Sequence, residues 1–344
     1  MKNIIIFAFV ILGLISCDNS DVEKTTKIEN VSTNDYSELD TKARSLFGTI
    51  TESPENENNT ITTEKVTLGK KLYFETRLSK DNTQSCNTCH NVETYGVDNK
   101  SFSEGNDGKL GGRNSPTTFN AAFHLSQFWD GREPDVEGQA GGPILNPVEM
   151  AMASEKDVID RLSKIEEYIK LFAQAFPEEK NAISYDNLKK AIGAYERKLI
   201  TPSKFDKYIA GDNKALNTDE KKGLQTYINS GCITCHSGAL LGGNMYQKFG
   251  LFDDYWKYTK SENIDNGRFD VTGNEADKYF FKVPSLRNIE KTYPYFHDGS
   301  VATLEESIKI MAKTQVNKDL SDTEISEIVT FLKTLTADIS DEYK

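Results

Sequence analysis

The chain has 344 residues, with 53 acidic and 41 basic side chains and a formal net charge of −12. That length allows one large domain or two of ordinary size, and it buries enough surface for a core even at 37% hydrophobic residues. The acidic balance argues against nucleic acid as a partner, because phosphate binding needs a basic face, and no apolar run reaches the ~18 residues of a membrane-spanning helix.

The amino terminus reads as an export signal of residues 1–16. Met1-Lys2 gives a positive start, and Ile4 to Ser16 is an apolar run too short to span a bilayer. It ends in Leu14-Ile15-Ser16-Cys17, which resembles a bacterial lipoprotein cleavage box and makes Cys17 the expected lipidation site. An ordinary signal peptide with an incidental Cys17 is the alternative. The expected location is the periplasm or cell envelope, with membrane attachment by the lipid anchor only. Residues 17–61 read as a flexible acidic tether: Cys17 to Thr60 carries ten acidic and four basic residues and little apolar periodicity, with one or two helical turns over Ser37 to Phe47. Order is expected from about Thr62.

Two Cys-x-x-Cys-His motifs follow, Cys86-Asn87-Thr88-Cys89-His90 and Cys232-Ile233-Thr234-Cys235-His236. Two thiols at this spacing reach the two vinyl groups of one haem, and the adjacent histidine falls under the iron, so the pattern reads as c-type haem attachment. A redox dithiol does not need a histidine at the next position twice, and a four-cysteine zinc site leaves both histidines unexplained. A structural disulfide is the third alternative. With Cys17 lipidated and two pairs on haem, all five cysteines are assigned.

The motifs lie 146 residues apart, so two cytochrome c-like haem domains are expected, 62–200 and 201–344, in a mainly α fold whose last helix packs back on the first domain. Leu68-Gly69-Lys70-Lys71-Leu72-Tyr73-Phe74 and Lys222-Gly223-Leu224-Gln225-Thr226-Tyr227 are alike, and each reads as the first helix of its domain. Ser154 caps a predicted helix with Val158, Leu162, Ile165, Ile169 and Phe172 on one face. Ser184 opens another with Leu188, Ile192, Tyr195 and Leu199, stopped by Pro202. Thr303 to Glu306 and Ser321 to Glu324 fit capping boxes, and the last helix presents Ile325, Ile328, Leu332 and Leu335. On the helix opened by Thr303, Met311 is a candidate sixth ligand opposite His236; a core methionine is the alternative.

Beyond the haem motifs the sequence resembles bacterial dihaem cytochrome c peroxidases. The matching stretches are Gly112-Arg113-Asn114-Ser115-Pro116-Thr117, Gln127-Phe128-Trp129-Asp130-Gly131-Arg132, Glu137 to Pro143, Asn146-Pro147-Val148-Glu149-Met150, Val283-Pro284-Ser285-Leu286-Arg287-Asn288 and Tyr293 to Gly299, over about residues 62–336. The resemblance implies that His90 is the proximal ligand of a low-potential peroxidatic haem and that His236 and Met311 hold a high-potential electron-transfer haem. It implies that Trp129 lies between the haems, that Glu149 and Gln139 stand in the distal pocket shaped by Pro143, and that Asn114 with the carbonyls of Thr292 and Pro294 binds Ca2+. The implied reaction reduces hydrogen peroxide to water with electrons from a small c-type cytochrome or cupredoxin, and a homodimer is compatible with it. Glu149 is the implied acid–base catalyst.

One position departs from the pattern. Many members carry a distal histidine ligand in the loop that here reads Ser103-Glu104-Gly105-Asn106-Asp107-Gly108, with Asn106 at its place. The expectation is an iron without a distal protein ligand and an enzyme needing no reductive activation. Recruitment of His124 is the rival. Two other functional classes remain: a non-enzymatic dihaem electron carrier, and the related dihaem enzyme that oxidises tryptophans of a partner protein, which has tyrosine where Met311 stands.

Overall fold

The computed structural model describes residues 35–344; the signal segment, Cys17 and the first part of the expected tether lie outside the described residues. In chain order the helices are α1 (Ser37–Leu46), α2 (Thr63–Tyr73), α3 (Cys86–Cys89), α4 (Val136–Leu145), α5 (Glu155–Leu162), α6 (Glu166–Ala175), α7 (Tyr185–Glu196), α8 (Lys204–Ile209), α9 (Thr218–Ser230), α10 (Trp256–Thr259), α11 (Phe269–Thr272), α12 (Leu304–Val316) and α13 (Asp322–Lys333). Two short antiparallel strands, β1 (Tyr246–Lys248) and β2 (Phe280–Lys282), pair with Gln247 opposite Phe281. The mainly helical expectation agrees with this architecture.

The same helix crossing is built twice. Thr62 caps α2 by accepting from the Lys65 N–H, Glu64 lies in its first turn and Lys70 and Lys71 in its last, so both ends suit the helix dipole. Gly69 then lets α7 approach so closely that a Cβ at this position would stand 1.8 Å from the Ala191 carbonyl oxygen. In α9, Asn217 and Glu220 close a capping box, and Gly231 ends the helix in the left-handed conformation. Gly223 brings α13 in the same way, with a Cβ position 2.1 Å from the Glu327 carbonyl. Each crossing sits in its own core. The first holds Leu68, Leu72, Leu188, Ile192 and Phe172; the second holds Leu224, Ile228, Ile325, Ile328 and Phe331. Burying one such side chain is worth roughly 1.5–3 kcal/mol, so each crossing is held by apolar packing rather than by its few hydrogen bonds.

Three sequence expectations are corrected. The flexible tether does not extend to residue 61. Helix α1 buries Leu39 and Ala43 in the second core, and Ile50 is fully buried with its N–H donating to Asp206 Oδ1 at 2.7 Å. Asn59, 2% exposed, reaches the first half, donating to Glu137 Oε1 and the Lys190 carbonyl. Residues 37–61 are therefore a strap across both halves. Their charge conceals a sparse apolar set, and Asn59 contributes by hydrogen bonds that periodicity does not register. The single helix expected from Ser154 breaks after Leu162: Ser163 ends α5, Ile165 is extended, and Glu166 and Glu167 open α6 as a fresh acidic first turn. Ile169 is exposed, and Tyr168 joins Phe172 in the core instead. The last helix does not return to the first half. It is the terminal turn that does so, where Tyr343 accepts from the Tyr195 hydroxyl at 2.6 Å and donates to the Ile200 carbonyl at 2.8 Å.

A buried ion pair fastens the strap. Arg287, 1% exposed, meets both carboxylate oxygens of Asp206 at 2.6 and 3.0 Å, and Asp206 also receives the Ile50 N–H. Removing the cation strands a buried carboxylate. Arg287→Met is expected to destabilise the fold by about 3–5 kcal/mol in denaturant unfolding; a loss below about 1 kcal/mol would show that the pair is dispensable.

Candidate haem-binding and distal site

Both Cys-x-x-Cys-His motifs fold as single turns. Ser85 and Thr88 cap the first, α3, while Gly231 at φ +93° turns α9 directly into the second. The four thiols are free, so neither pair forms a disulfide. Burial pushes all four up, Cys232 to about 11. Among the described residues no three His, Cys, Asp or Glu side chains converge as a metal cluster.

The histidines are prepared identically. His90 Nδ1 lies 3.0 Å from the Pro116 carbonyl and His236 Nδ1 2.9 Å from the Leu241 carbonyl. A carbonyl only accepts, so each ring is protonated at Nδ1 and presents the Nε2 lone pair, as a metal ligand must. Burial lowers both imidazoles and keeps them neutral. Tyr73, four residues after Gly69, donates to the His90 carbonyl at 2.6 Å, and Tyr227, four after Gly223, to the His236 carbonyl at 2.7 Å. Paired thiols, oriented imidazoles and a glycine-crossed helix pair recur together in both halves and fit a covalently held haem in each.

Glu149 lies in the turn after α4. Pro143 stands inside that helix, and Asn146 caps its end. The Asn146 side-chain amide donates to Glu149 Oε1 at 2.8 Å. Burial raises the Glu149 carboxyl above its ordinary value of 4.5, against the opposing charge of Arg132 and the Asn146 hydrogen bond. Arg132 in turn lies 3.4 Å over the Phe128 ring and pairs with Asp130. Asn146 and Arg132 lie within quoted stretches, yet spacing assigns them no role, because Asn146 acts on Glu149 by a hydrogen bond and Arg132 by its charge. Gln139 is on α4, half-buried like Glu149.

Trp129 comes from the first half but packs on the second core. Its indole N–H donates to the Asn114 carbonyl at 2.8 Å, and the Asn114 N–H donates to the His297 carbonyl at 2.7 Å. The His297 ring is stacked on Phe281 at 4.3 Å and faces Trp129 edge-on at 6.3 Å. Met311 lies on α12, half-buried against the second core. Asn114 also donates to the Lys100 carbonyl, and Asn99 donates to the carbonyls of Lys291 and Tyr293, which brings the backbone around Thr292 and Pro294 against this stretch. His124 is wedged against Gly243, both ring nitrogens buried without a hydrogen-bond partner, and burial beside Lys282 holds it neutral.

The fold and site define a mainly helical protein with two similarly built Cys-x-x-Cys-His stations and a half-buried carboxylate, Glu149, in the half that carries the first. Residues 63–214 match the family model for di-haem cytochrome c peroxidase. The cytochrome c551 peroxidase of Nitrosomonas europaea is 46% identical over 276 residues, 80% of each chain. The methylamine utilization protein MauG of Methylorubrum extorquens is 30% identical over 95% of this chain and 94% of that protein. A crystal structure of a MauG-like protein associated with microbial copper homeostasis superposes with a TM-score of 0.76 at 29% identity, covering 86% of this chain and 96% of that one. The chain belongs to the di-haem cytochrome c peroxidase family, and membership carries two c-type haems.

Proposed function

We infer that the chain is a cytochrome c peroxidase, reducing hydrogen peroxide to water with two electrons from a cytochrome. The observation that carries this reading is the half-buried acid Glu149, hydrogen-bonded by Asn146 on the half that also holds His90. Bound haem supplies the iron chemistry: O–O cleavage at the first station, electron conduction at the second. Cys86, Cys89 and His90 would hold the first haem, and Cys232, Cys235, His236 and Met311 the second, in domains of about 62–200 and 201–344.

The protein's part is mainly proton handling. Glu149 takes the proton from the inner peroxide oxygen and returns it to the outer one, so that water leaves instead of hydroxide. Gln139 holds the peroxide by a hydrogen bond. Two electrons and two protons with one peroxide give two waters. Trp129 lies on the route between the stations, supported by its bond to Asn114 and the Asn114 bond to His297. Cys86, Cys89 and His90 would hold the first haem without help from Asn106 or His124, leaving it free to take peroxide. In support, the Asn106 side chain is engaged with Asp81 and Thr83, and His124 is packed against the second half.

Calcium would bind through the neutral oxygens of Asn114, Thr292 and Pro294, a donor set that suits a hard cation. The donor is a small c-type cytochrome or cupredoxin, and the enzyme works as a periplasmic lipoprotein anchored through Cys17, as a monomer or homodimer. No helix among the described residues is long and apolar enough to cross a membrane. Met311 separates this reading from a tryptophan-oxidising enzyme, whose pattern has tyrosine there.

The test is peroxide-dependent oxidation of reduced cytochrome c by the holoenzyme. Turnover that is rapid and depends on Glu149 supports the peroxidase. Slow turnover indifferent to Glu149→Gln would identify an electron carrier. Glu149 acts first as a base and must be ionised, so activity is present above its raised pKa and lost as pH falls through it. The kcat/KM for peroxide is expected to fall on the acid side with a midpoint above 4.5, a limb that Glu149→Gln removes.

A further inference from the structure

The loop 103–111 closes on itself as a small hairpin, with Gly105 N–H to the Lys109 carbonyl at 2.8 Å and Gly111 N–H to the Ser103 carbonyl at 2.9 Å. Its base is fixed by the Ser103 hydroxyl, 2.7 Å from Asp98 Oδ2 and 2.7 Å from the Ser115 hydroxyl. Its tip lies on the segment that carries Glu149. Gly105 is so close to this segment that a Cβ would stand 1.9 Å from the Val148 carbonyl oxygen, and the Asn106 N–H donates to the Glu149 carbonyl at 2.7 Å.

The Asn106 side chain faces a third segment. Its Oδ1 accepts the Asp81 N–H at 3.0 Å and the Thr83 hydroxyl at 3.3 Å, and its Nδ2 donates to the Asp81 carboxylate at 2.9 Å. Residues 81–85 run straight into Cys86. Beside this hub, the Lys80 N–H donates to the Met150 carbonyl at 2.9 Å and the Lys80 ammonium pairs with Asp107 at 2.9 Å. One residue thus ties the lead-in to the first haem-attachment motif directly to the backbone of the pocket acid.

We propose that Asn106 is a positioning residue for Glu149, setting the distance of its carboxyl from the haem station through the Asp81–Asn106–Glu149 connection. This rests on Glu149 being the acid–base group. Proton transfer between two oxygens of one small substrate tolerates little displacement, and misplacement on the ångström scale costs up to ~10²-fold in rate.

The test measures kcat/KM for hydrogen peroxide, with reduced cytochrome c as donor, on the two-haem holoenzyme. Asn106→Ala is expected to lower it about tenfold, with the KM for the cytochrome unchanged, and Asp81→Ala, at an exposed position, about threefold. In the Glu149→Gln background Asn106→Ala should change the rate by less than about twofold, because a residue acting only through Glu149 has nothing left to position. Wild-type turnover in Asn106→Ala, or an undiminished tenfold loss in the Glu149→Gln background, overturns the proposal. If Asn106→Ala does not assemble with two haems, Asp81→Ala decides: a loss that vanishes with Glu149→Gln supports the proposal, and wild-type turnover overturns it. Glu149→Gln turning over like wild type would remove the Glu149 reading itself, and this proposal with it.

Discussion

Glu149→Gln lowers kcat/KM for peroxide by about 10²–10⁴-fold, the usual contribution of a positioned acid–base group. The amide keeps the shape and can still meet Asn146, so both haem stations remain intact and electron uptake from the cytochrome is unaffected. The expected signature is a selective loss: steady-state peroxide turnover collapses, while reduction of the second haem by the donor proceeds at its usual rate. Stopped-flow spectra of the variant mixed first with reduced cytochrome and then with peroxide separate the two steps. A variant retaining more than about a tenth of the wild-type rate would place proton transfer elsewhere, with Gln139 and Arg132 the next groups to examine.

The second large effect is on folding. Gly69→Val puts a branched side chain where even a Cβ would lie 1.8 Å from the Ala191 carbonyl oxygen and 2.6 Å from its carbon. Backbone cannot yield as the end of a flexible side chain does, so α2 and α7 must separate and expose Leu68, Leu72, Leu188 and Ile192. The expected cost exceeds about 3 kcal/mol, at the severe end for a single substitution. Gly223→Val acts in the same way on α9 and α13 through the Glu327 carbonyl. Gly112 has nothing within 4 Å of its Cβ position, and Gly112→Ala should stay within about 0.5 kcal/mol. Denaturant unfolding followed by the absorbance of each haem reads the two halves separately. Each valine variant should lose its own half first; equal stability of Gly69→Val and Gly112→Ala would contradict the packing account.

Much of this was legible in the sequence, because the haem motifs are local. Two thiols and a histidine within five residues fix their own geometry, and the structure adds the Nδ1 carbonyl partners that orient the imidazoles. Helical stripes at Ser184 and Ser321 were readable because buried faces repeat with the helix period. What escaped the sequence is contact between distant segments. The strap of residues 37–61 hides Leu39, Ala43 and Ile50 among acidic residues, and its anchors, Asp206, Glu137 and the Lys190 carbonyl, lie far along the chain. The stripe from Ser154 to Phe172 kept its period across a real break at Ser163 to Ile165, so periodicity overran the boundary. The connection from Glu149 through Asn106 to Asp81 depends on three segments meeting, which no spacing rule contains.

The account turns on the two haems being held unequally: His90 would be the one ligand this chain gives the first iron, whereas His236 and Met311 would both serve the second. Electron paramagnetic resonance of the fully oxidised holoenzyme tests this most directly. One high-spin and one low-spin ferric haem in equal amounts is the predicted spectrum; two low-spin haems would contradict it.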